Sequence, residues 1–572
     1  MIKDEISNLI KDAIIAAMDD GTLPELNMPD IVVEHPTKPE HGDYATGVAM
    51  KMARAAKLAP LKIAEIIKHH LESPPYISAV EIAPPGFVNL RLSKEWLTNL
   101  VGEIIQAGET FGNVDLGKGE KAQVEFVSAN PTGLLPFASG RGGVLGDVLA
   151  SVLEAAGYEV EREYYINDAG SRMDVFYKNV WFYYQKELGR QPATPDAPYP
   201  TAEYAAKEIL REEGDKYLKL TDKEAIATIG PVGIGKIIEA IHTDLDRLKI
   251  EYNHWFSEQS LFADGSVDHT LKLLRESGHV AEKEGAVWFV STALGQEKDN
   301  VLIRSNGVPT YFISDIAYHH NKFVTRGFSK VINIWGADHQ GHIPRMKAAM
   351  TALHLNPDDL TIITVQMVMI NGKKMKKAHG NVIPLRDMLN QIGADPIRYN
   401  LAARSPDTQF DFNVDLALEQ SSENPVFYVQ YAHARIASIF RKAKERYGIE
   451  ETAFIEGDLN LLGTSSELGL IRQLLLLPEV IEDAARTYEI HRIPQYAYRL
   501  AEALQVFYER DRVLGAKDQP LPDPALSLAR LRLLLAAKTV LARTLHLMGM
   551  TAPEEMIREG EIGENGEESE SV

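Results

Sequence analysis

The 572-residue sequence lacks cysteine altogether. Disulfides, thiolate zinc sites and cysteine nucleophiles are therefore excluded, and the absence fits a reducing compartment, so we expect a cytoplasmic protein. Aromatic residues contribute only 8% of the chain, whereas 45% of the residues are hydrophobic and 25% are charged. This composition is typical of a soluble globular protein, and roughly 150 residues per domain gives three or four domains.

Long apolar runs are missing as well. The longest, such as residues 474–477 and 533–537, fall far short of the roughly 18 residues that a membrane span needs. Residues 1–19 have the spacing of an amphipathic helix and not the uninterrupted apolar core of a signal peptide. We therefore expect no association with a membrane.

Positive charge is scarce, because 60 Lys and Arg residues face 81 Asp and Glu residues, a net charge of -21. The chain as a whole would repel a polyanion, so any contact with nucleic acid must come from local basic patches. One such patch is predicted on a single helix after residue 424, and it contains Arg435, Arg441, Lys442, Lys444 and Arg446. A solvated helix face is the simpler interpretation of the same residues.

The hydrophobic pattern of the sequence changes along the chain. Residues 45–57 and 60–69 have helical periodicity, and residues 86–92 have the alternation of a strand. Helical patterns dominate again from 426 to 547. The predicted helices of this last part cover 426–444, 471–477, 496–508 and 528–547. We place the domains at 1–95 (α+β), 120–415 (α/β, with an insertion at about 175–300), 420–558 (an all-helical bundle) and 559–572 (a disordered acidic tail).

Parallel strand-helix-strand units are indicated twice. Residues 123–127 predict a short strand, which a turn, a helix and a second strand at about 159–166 follow. The same order begins again with a strand at 331–335 and a helix that ends at 346. The predicted fold class is α/β, with a Rossmann-like parallel sheet between the N-terminal α+β domain and the helical bundle.

Two weak motifs are set aside. Residues 230–236 spell the first seven positions of a phosphate loop, but Ile237 replaces the hydroxyl that binds magnesium, and a glycine turn at a helix entry explains the segment better. His339 and His342 lack a third ligand nearby, so we predict no metal site.

A turn rich in small residues follows the first strand of the sheet. Between Asn130 and Gly143 the chain contains Thr132, Gly133, Ser139, Gly140 and Gly142, where backbone could approach a phosphate at a helix N-terminus. Tight packing of strand against helix would select the same residues. Composition leaves both interpretations open.

Two further clusters carry charge. Residues 371–381 form an Asn-Gly turn with four lysines, a basic loop that could close over a triphosphate or could simply be solvated. Tyr311 and Asp315 are four residues apart and share one face if helical, where a carboxylate and a ring could hold a guanidinium. An acidic residue near the N-terminus of an ordinary helix would give the same pattern.

These clusters occur together in a chain that resembles the bacterial arginyl-tRNA synthetases of class I. The resemblance extends from about Asp30 to Met556. The segments that carry it are His41-Gly-Asp-Tyr-Ala-Thr, Ala83-Pro-Pro-Gly-Phe-Val, Val124-Glu-Phe-Val-Ser-Ala-Asn-Pro-Thr-Gly, Tyr165-Ile-Asn-Asp-Ala-Gly, Trp255-Phe-Ser-Glu-Gln-Ser, Tyr311-Phe-Ile-Ser-Asp-Ile-Ala-Tyr, Trp335-Gly-Ala-Asp-His, Asn424-Pro-Val-Phe-Tyr-Val-Gln-Tyr-Ala-His-Ala and Phe507-Tyr. It implies a domain that binds the tRNA elbow, a Rossmann catalytic domain and an anticodon-binding domain.

The resemblance also implies roles for single residues. Arginine would be bound by Glu125, Asn130, Tyr311 and Asp315. ATP would be bound by Pro131, Thr132, Gly133, Gly140, Gly142, Asp338 and His339. Lys374 and Lys377 would neutralise the triphosphate, which carries Mg²⁺, while arginine attacks the α-phosphorus. The products would be AMP, pyrophosphate and arginyl-tRNA(Arg), and we expect a monomer.

The chain departs from the family at two places. Pro136 and Ser139 stand where the family has the histidines of Pro-Leu-His-x-Gly-His, and Lys376 replaces the serine of Lys-Met-Ser-Lys. Removing one preorganised donor costs about 10² to 10³ in rate. We hypothesise that Ser139, Arg141 and Lys376 partly replace the imidazoles. The alternatives are a catalytically weakened relative that still binds arginine or tRNA, and a generic nucleotide-binding module.

Overall fold

The computed structural model describes residues 2–370, 373–374 and 383–556. The predicted roles of Lys376 and Lys377 and the predicted acidic tail at 559–572 fall outside these residues.

An antiparallel sheet packed on helices forms the first part of the chain. In chain order its elements are α1 (Ile2–Asp19), β1 (Val33–Glu34), β2 (Tyr44–Thr46), α2 (Val48–Ala56), α3 (Pro60–His70), β3 (Ile77–Ala83), β4 (Phe87–Leu92) and α4 (Lys94–Ala107). The strand order is β1-β2-β4-β3, and each neighbouring pair is antiparallel. The N-terminal α+β fold is thus confirmed.

The predicted helix at 45–57 is wrong at its start. Ala45 and Thr46 belong to β2 and pair with Asn89 and Val88 of β4, and the helix begins only at Val48. A short strand that leads straight into a helix leaves no separate period in the sequence, because three residues are too few to show alternation.

The α/β part follows. Its elements are β5 (Lys121–Glu125), α5 (Phe137–Ala155), β6 (Glu159–Ile166), α6 (Ser171–Glu187), α7 (Ala202–Glu213), α8 (Asp222–Arg247), β7 (His254–Ser257), α9 (Glu258–Ala263), α10 (Ser266–Glu276), β8 (Val280–Lys283), β9 (Ala286–Phe289), β10 (Asn300–Ile303), α11 (Tyr311–His320), β11 (Lys330–Gly336), α12 (Ile343–Ala352), β12 (Leu360–Val365), β13 (Val368–Ile370), β14 (Lys373–Lys374), α13 (Leu385–Ile392), α14 (Ala394–Ala402), β15 (Phe410–Phe412) and α15 (Val414–Leu418).

Five parallel strands form the central sheet in the order β12-β11-β5-β6-β7. The Rossmann-like prediction is therefore confirmed, and β6 has the bounds that the sequence predicts. From β5 the chain moves to β6 and β7 on one side and then crosses to β11 and β12 on the other. The order reverses between β5 and β11, which is where sheets of this type bind ligands, outside the carboxyl ends of the strands.

The predicted insertion at about 175–300 is interrupted by β7, the edge strand of the central sheet. The helices α6, α7 and α8 connect β6 to β7, and a separate antiparallel sheet of β8, β9 and β10 precedes α11. β7 has only four residues, too few for its alternation to stand out from the neighbouring helices.

Residues 230–236 lie inside α8, so they form neither a phosphate loop nor the predicted helix-entry turn. Gly230 is small for a packing reason, because a Cβ at that position would collide with the ring of Tyr177 in α6. By length and composition α8 could cross a membrane, and it is the one helix among the described residues that could. In the protein it packs against α6 and α7.

The last part is helical, with α16 (Pro425–Tyr447), α17 (Ser465–Leu475), α18 (Leu477–Thr487), α19 (Arg492–Arg510) and α20 (Pro524–Leu547). The predicted helices are found, except that the pattern at 471–477 spans the junction of α17 and α18. Side chains join the helical part to the first sheet: Arg472 of α17 donates to Asp43, and the Tyr44 hydroxyl donates to Glu479 of α18 at 2.6 Å.

Arg398 of α14 connects three separate parts of the chain. Its guanidinium is fully buried and pairs with Asp147 of α5. It also donates to the carbonyl oxygens of Leu248 at 2.9 Å and Met548 at 2.5 Å. The helix α5, the helical connection and the end of α20 thus share one cation.

Candidate active site

The chain turns sharply where β5 ends. Val127 and Ser128 have φ angles of 69° and 39°, a left-handed backbone that is strained for residues other than glycine. The end of β6 holds this turn, because the Tyr164 hydroxyl accepts from the Ala129 N–H at 3.1 Å and donates to the Ala129 carbonyl at 3.0 Å. The turn leaves Asn130 exposed beside the switch point of the sheet.

Tyr311 and Asp315 lie one turn apart in α11, as the sequence predicts. The Asp315 carboxylate is 2.9 Å from Nε2 of His342, and the Tyr311 hydroxyl accepts from Arg345 at 3.0 Å. Arg345 also donates to Nδ1 of His342, which gives this histidine two partners. Among the residues that the structure describes, no group of three His, Cys, Asp or Glu side chains could hold a metal ion. Tyr311 remains 62% exposed.

Glu258 is a second acid at this place and is buried, and the sequence did not predict a role for it. It is the first residue of α9 and accepts from the Ser314 hydroxyl at 2.7 Å, so it lies beside Asp315. Burial raises the pKa of Glu258 to about 7, and the charges of Asp315 and Asp168 act in the same direction. A carboxylate directly after a strand, in the segment Trp255-Phe-Ser-Glu, was the signal that could have found it.

Glu125, at the carboxyl end of β5, already has a cationic partner within the chain. Its carboxylate lies 2.6 Å from Nζ of Lys322, which also donates to Asn333 Oδ1 at 3.0 Å. The Lys322 side chain is fully buried and lies 4.1 Å from the centre of the Tyr318 ring. Lys322 thus neutralises this carboxylate within the chain, and the contact of Glu125 with arginine stays a prediction.

The small-residue turn serves packing in part. Gly140 is buried, and a Cβ there would lie 3.3 Å from Leu385 of α13, while one at Gly133 would lie 2.7 Å from Thr201. Gly142 is partly exposed and has more space, with Ile334 at 3.8 Å. The turn residues Thr132 and Gly133 are partly exposed, whereas Pro131 is buried.

The start of α5 is bonded to the chain segment that follows the predicted lysine loop. Phe137 donates its N–H to the Ile383 carbonyl at 2.9 Å, and Leu385 donates to the Leu135 carbonyl at 2.8 Å, so that Pro136 stands opposite a second proline. The Ser139 N–H is also used, by the Pro136 carbonyl at 2.9 Å. Fewer N–H groups than the sequence suggests are therefore free for a phosphate.

Arg141 does not have the catalytic position predicted for it. Its guanidinium is fully buried and donates to the carbonyl oxygens of Gln366, Ser405 and Thr408 at 3.0, 2.8 and 2.9 Å. Burial lowers the pKa of Arg141 to about 10. A helix position next to small residues gave no hint that this side chain points into the protein instead of toward a substrate.

Asp338 and His339 lie on a 3₁₀ turn, Ala337–His342, directly after β11. Their side chains are 72% and 63% exposed at the edge of the switch point. Lys374 belongs to β14, which pairs with β13.

The basic residues predicted on one helix all lie on α16. Arg435 stacks on the Tyr508 ring, with its guanidinium carbon 3.5 Å from the ring centre, and donates to Gln505 at 2.6 Å. Arg441 donates to the Glu554 carbonyl at 3.0 Å. Lys442 is partly exposed, and Lys444 is exposed and 3.2 Å from Glu450.

Three family models match successive parts of the chain. They are the arginyl tRNA synthetase N terminal domain over residues 4–92, the class I (R) tRNA synthetase catalytic domain over residues 101–404 and the DALR anticodon binding domain over residues 429–556. The middle match alone covers more than half of the chain.

Relatives and solved structures agree with these matches. Proteins named Arginine--tRNA ligase from Dehalococcoides mccartyi and Caldanaerobacter subterraneus are 44% and 46% identical, over 97% of this chain and 99% of each relative. The arginyl-tRNA synthetases of Thermus thermophilus and Plasmodium falciparum have TM-scores of 0.76 and 0.72 at 22% and 17% identity, over 97% of this chain and 100% and 99% of theirs, and show the shared fold. This chain therefore belongs to the arginyl-tRNA synthetase family of class I aminoacyl-tRNA synthetases.

Proposed function

We propose that this protein activates arginine with ATP and transfers it to tRNA(Arg), releasing AMP and pyrophosphate. The observation that carries the proposal is the presence of two carboxylates, Asp315 and Glu258, whose charges act on each other at the carboxyl edge of a class I sheet. Glu258 accepts from the hydroxyl of Ser314, the residue before Asp315 in α11. Two carboxylates beside an exposed tyrosine suit the planar, five-donor guanidinium group.

In this proposal Asp315 and Glu258 bind the guanidinium, and Tyr311 covers it. Asn130 binds the amino-acid end of arginine, because the strained turn after β5 presents it at the switch point. Glu125 acts indirectly: paired with Lys322, it supports the floor of the site without adding a free negative charge.

ATP is proposed to lie along the turn from Pro131 to Gly142, with Asp338 and His339 on the opposite side of the switch point. Magnesium belongs to this substrate, bound to the phosphates. Ser139 supplies a hydroxyl near the phosphates, and Lys374 and Lys377 supply the positive charge that the transition state needs. The exposure of Asp338 and His339 supports this placement, since both can reach a ligand.

The tRNA is proposed to bind along α16 and its neighbours in the helical part. Lys442 and Lys444 offer phosphate contacts, and the aromatic surface around Tyr508 offers a platform for an unpaired base. We also propose that the protein acts as a monomer. The absence of cysteine supports a cytoplasmic location.

Arginine-dependent exchange of pyrophosphate into ATP, measured with and without tRNA, tests the proposal. We expect exchange with the wild-type protein, and an Asp315→Asn variant should raise the KM for arginine by about 10- to 150-fold, the cost of one charge-assisted hydrogen bond. The KM for ATP should not change. Tight binding of tRNA or arginine without any exchange would instead favour the catalytically weakened relative, an alternative that the near-full-length match to named ligases does not support.

A further inference from the structure

A buried hydroxyl group beside the two carboxylates lacks a hydrogen-bond partner. Tyr165 of β6 is 4% exposed, and its hydroxyl is buried with no partner among the residues that the structure describes. Buried polar groups are almost always hydrogen-bonded, so each exception requires an explanation. Its neighbour in sequence, Tyr164, shows the usual case, with both a donor and an acceptor for its hydroxyl.

The ring of Tyr165 is fixed in place by aromatic neighbours. Its centre lies 4.3 Å from that of Tyr318 in α11 and 6.1 Å from that of Phe256 in β7. Both neighbours belong to the elements that carry the proposed arginine site, since α11 contains Asp315 and β7 leads into Glu258. The hydroxyl is therefore presented to this site from a rigid position.

The charges around the hydroxyl are acidic. Burial raises the pKa of Tyr165 well above its ordinary value, and the negative charges of Glu258 and Asp315 add to this effect. The hydroxyl consequently stays neutral, and it retains lone pairs that no described group of the protein uses. No described group donates a hydrogen bond to the Tyr165 hydroxyl.

We propose that Tyr165 is a positioning residue for arginine, whose hydroxyl accepts a hydrogen bond from the bound guanidinium between Glu258 and Asp315. The inference rests on the proposed function and extends it. A guanidinium has five N–H donors and no acceptor, so it supplies what this hydroxyl lacks, and two carboxylates leave some of its donors unmet. The fixed ring then defines how deep the side chain enters the site.

The test is a Tyr165→Phe variant, which removes one oxygen atom and keeps the ring. We expect the KM for arginine to rise by about 10-fold, the size of one typical hydrogen bond, while kcat and the KM values for ATP and tRNA stay within about twofold. The melting temperature should stay the same or rise, because the variant no longer buries an unpaired hydroxyl.

Tyr184→Phe is the matched control. Tyr184 is equally buried, but its hydroxyl donates to the Gly214 carbonyl in the helical connection. This variant should lower the melting temperature and leave the KM for arginine unchanged.

An arginine KM that stays within twofold in Tyr165→Phe would overturn the inference. A lower melting temperature with equal losses for all three substrates would overturn it too, since the hydroxyl would then serve the fold. Failure of the proposed function looks different, because the wild-type protein itself would show no arginine-dependent exchange.

Discussion

The ammonium group of Lys322 lies 2.6 Å from the Glu125 carboxylate, and both side chains are buried under the carboxyl end of the sheet. A buried pair of this kind is expensive to break from one side, because the remaining charge has neither water nor a partner. The pair therefore explains how a third acid can lie so near the proposed guanidinium site without destabilising the fold.

A Lys322→Met variant should lose about 3–5 kcal/mol of unfolding free energy, measured by urea denaturation, since it leaves Glu125 buried and unpaired. Adding Glu125→Gln should recover part of this loss, because the unpaired charge is then removed. If the Lys322→Met variant were as stable as the wild type, the pair would not be buried in solution.

Arginine binding should weaken as the pH falls below 7, because Glu258 must be ionised to hold a guanidinium and burial raises its pKa to about 7. We expect the KM for arginine to rise between pH 8 and pH 6 in the wild type. In a Glu258→Gln variant the KM should be high throughout and should lose this dependence.

The same raised pKa predicts the effect of Glu258 on stability. The folded protein holds the proton up to about pH 7, whereas the unfolded chain releases it near the ordinary value for glutamate. The contribution of Glu258 is therefore most favourable at low pH and is lost as the pH rises through 7. Comparing melting temperatures of wild type and Glu258→Gln from pH 4 to pH 8 measures this, and a difference constant with pH would contradict it.

Arg141 and Ser139 should separate stability from catalysis. Arg141→Met removes three hydrogen bonds to carbonyl groups and should cost about 3 kcal/mol or more of unfolding free energy. Ser139→Ala should leave stability nearly unchanged but lower the rate of adenylate formation by about 10-fold or more, as should Lys376→Ser. Unchanged rates in both of the latter variants would remove the idea that these residues replace the missing histidines.

Binding of tRNA should depend on the lysines of α16. Replacing Lys442 and Lys444 with methionine should raise the KM for tRNA and reduce the slope of log affinity against log salt by about 0.7–0.9 for each phosphate that is no longer neutralised. Lys272→Met, on an exposed position of α10, is the control and should change neither quantity. An unchanged slope in the double variant would assign these lysines to a solvated face.

The regular elements of this protein could be read from its sequence where they are long. β6 and the helices of the last part repeat their apolar spacing over several turns or pairs of residues, and that spacing is what periodicity detects. β2 and β7 were not predicted, because strands of three or four residues show no period of their own. Their presence is decided by neighbouring strands that lie far away in the chain.

The sequence predicts which segments form the site, but it predicts few of the contacts that the site residues make. Tyr311 and Asp315 share a helix, so their spacing fixes their common face. Nothing local in the sequence reveals the partners of Glu125 and Arg141. These partners are Lys322 and the carbonyl group of Ser405, which lie about 200 residues or more further along the chain. Long-range partners of this kind become visible only in the folded chain.

Arg398 makes the unfolding of distant parts of the chain cooperative. The acceptors of its guanidinium come from α5, from the end of α8 and from the end of α20. If the C-terminal helices unfolded, the buried guanidinium of Arg398 would lose one of its acceptors. Unfolding either half alone therefore costs free energy in the other half. The protein should consequently unfold as a unit, and shortening it from the C-terminus into α20 should weaken the nucleotide-binding half far from the cut.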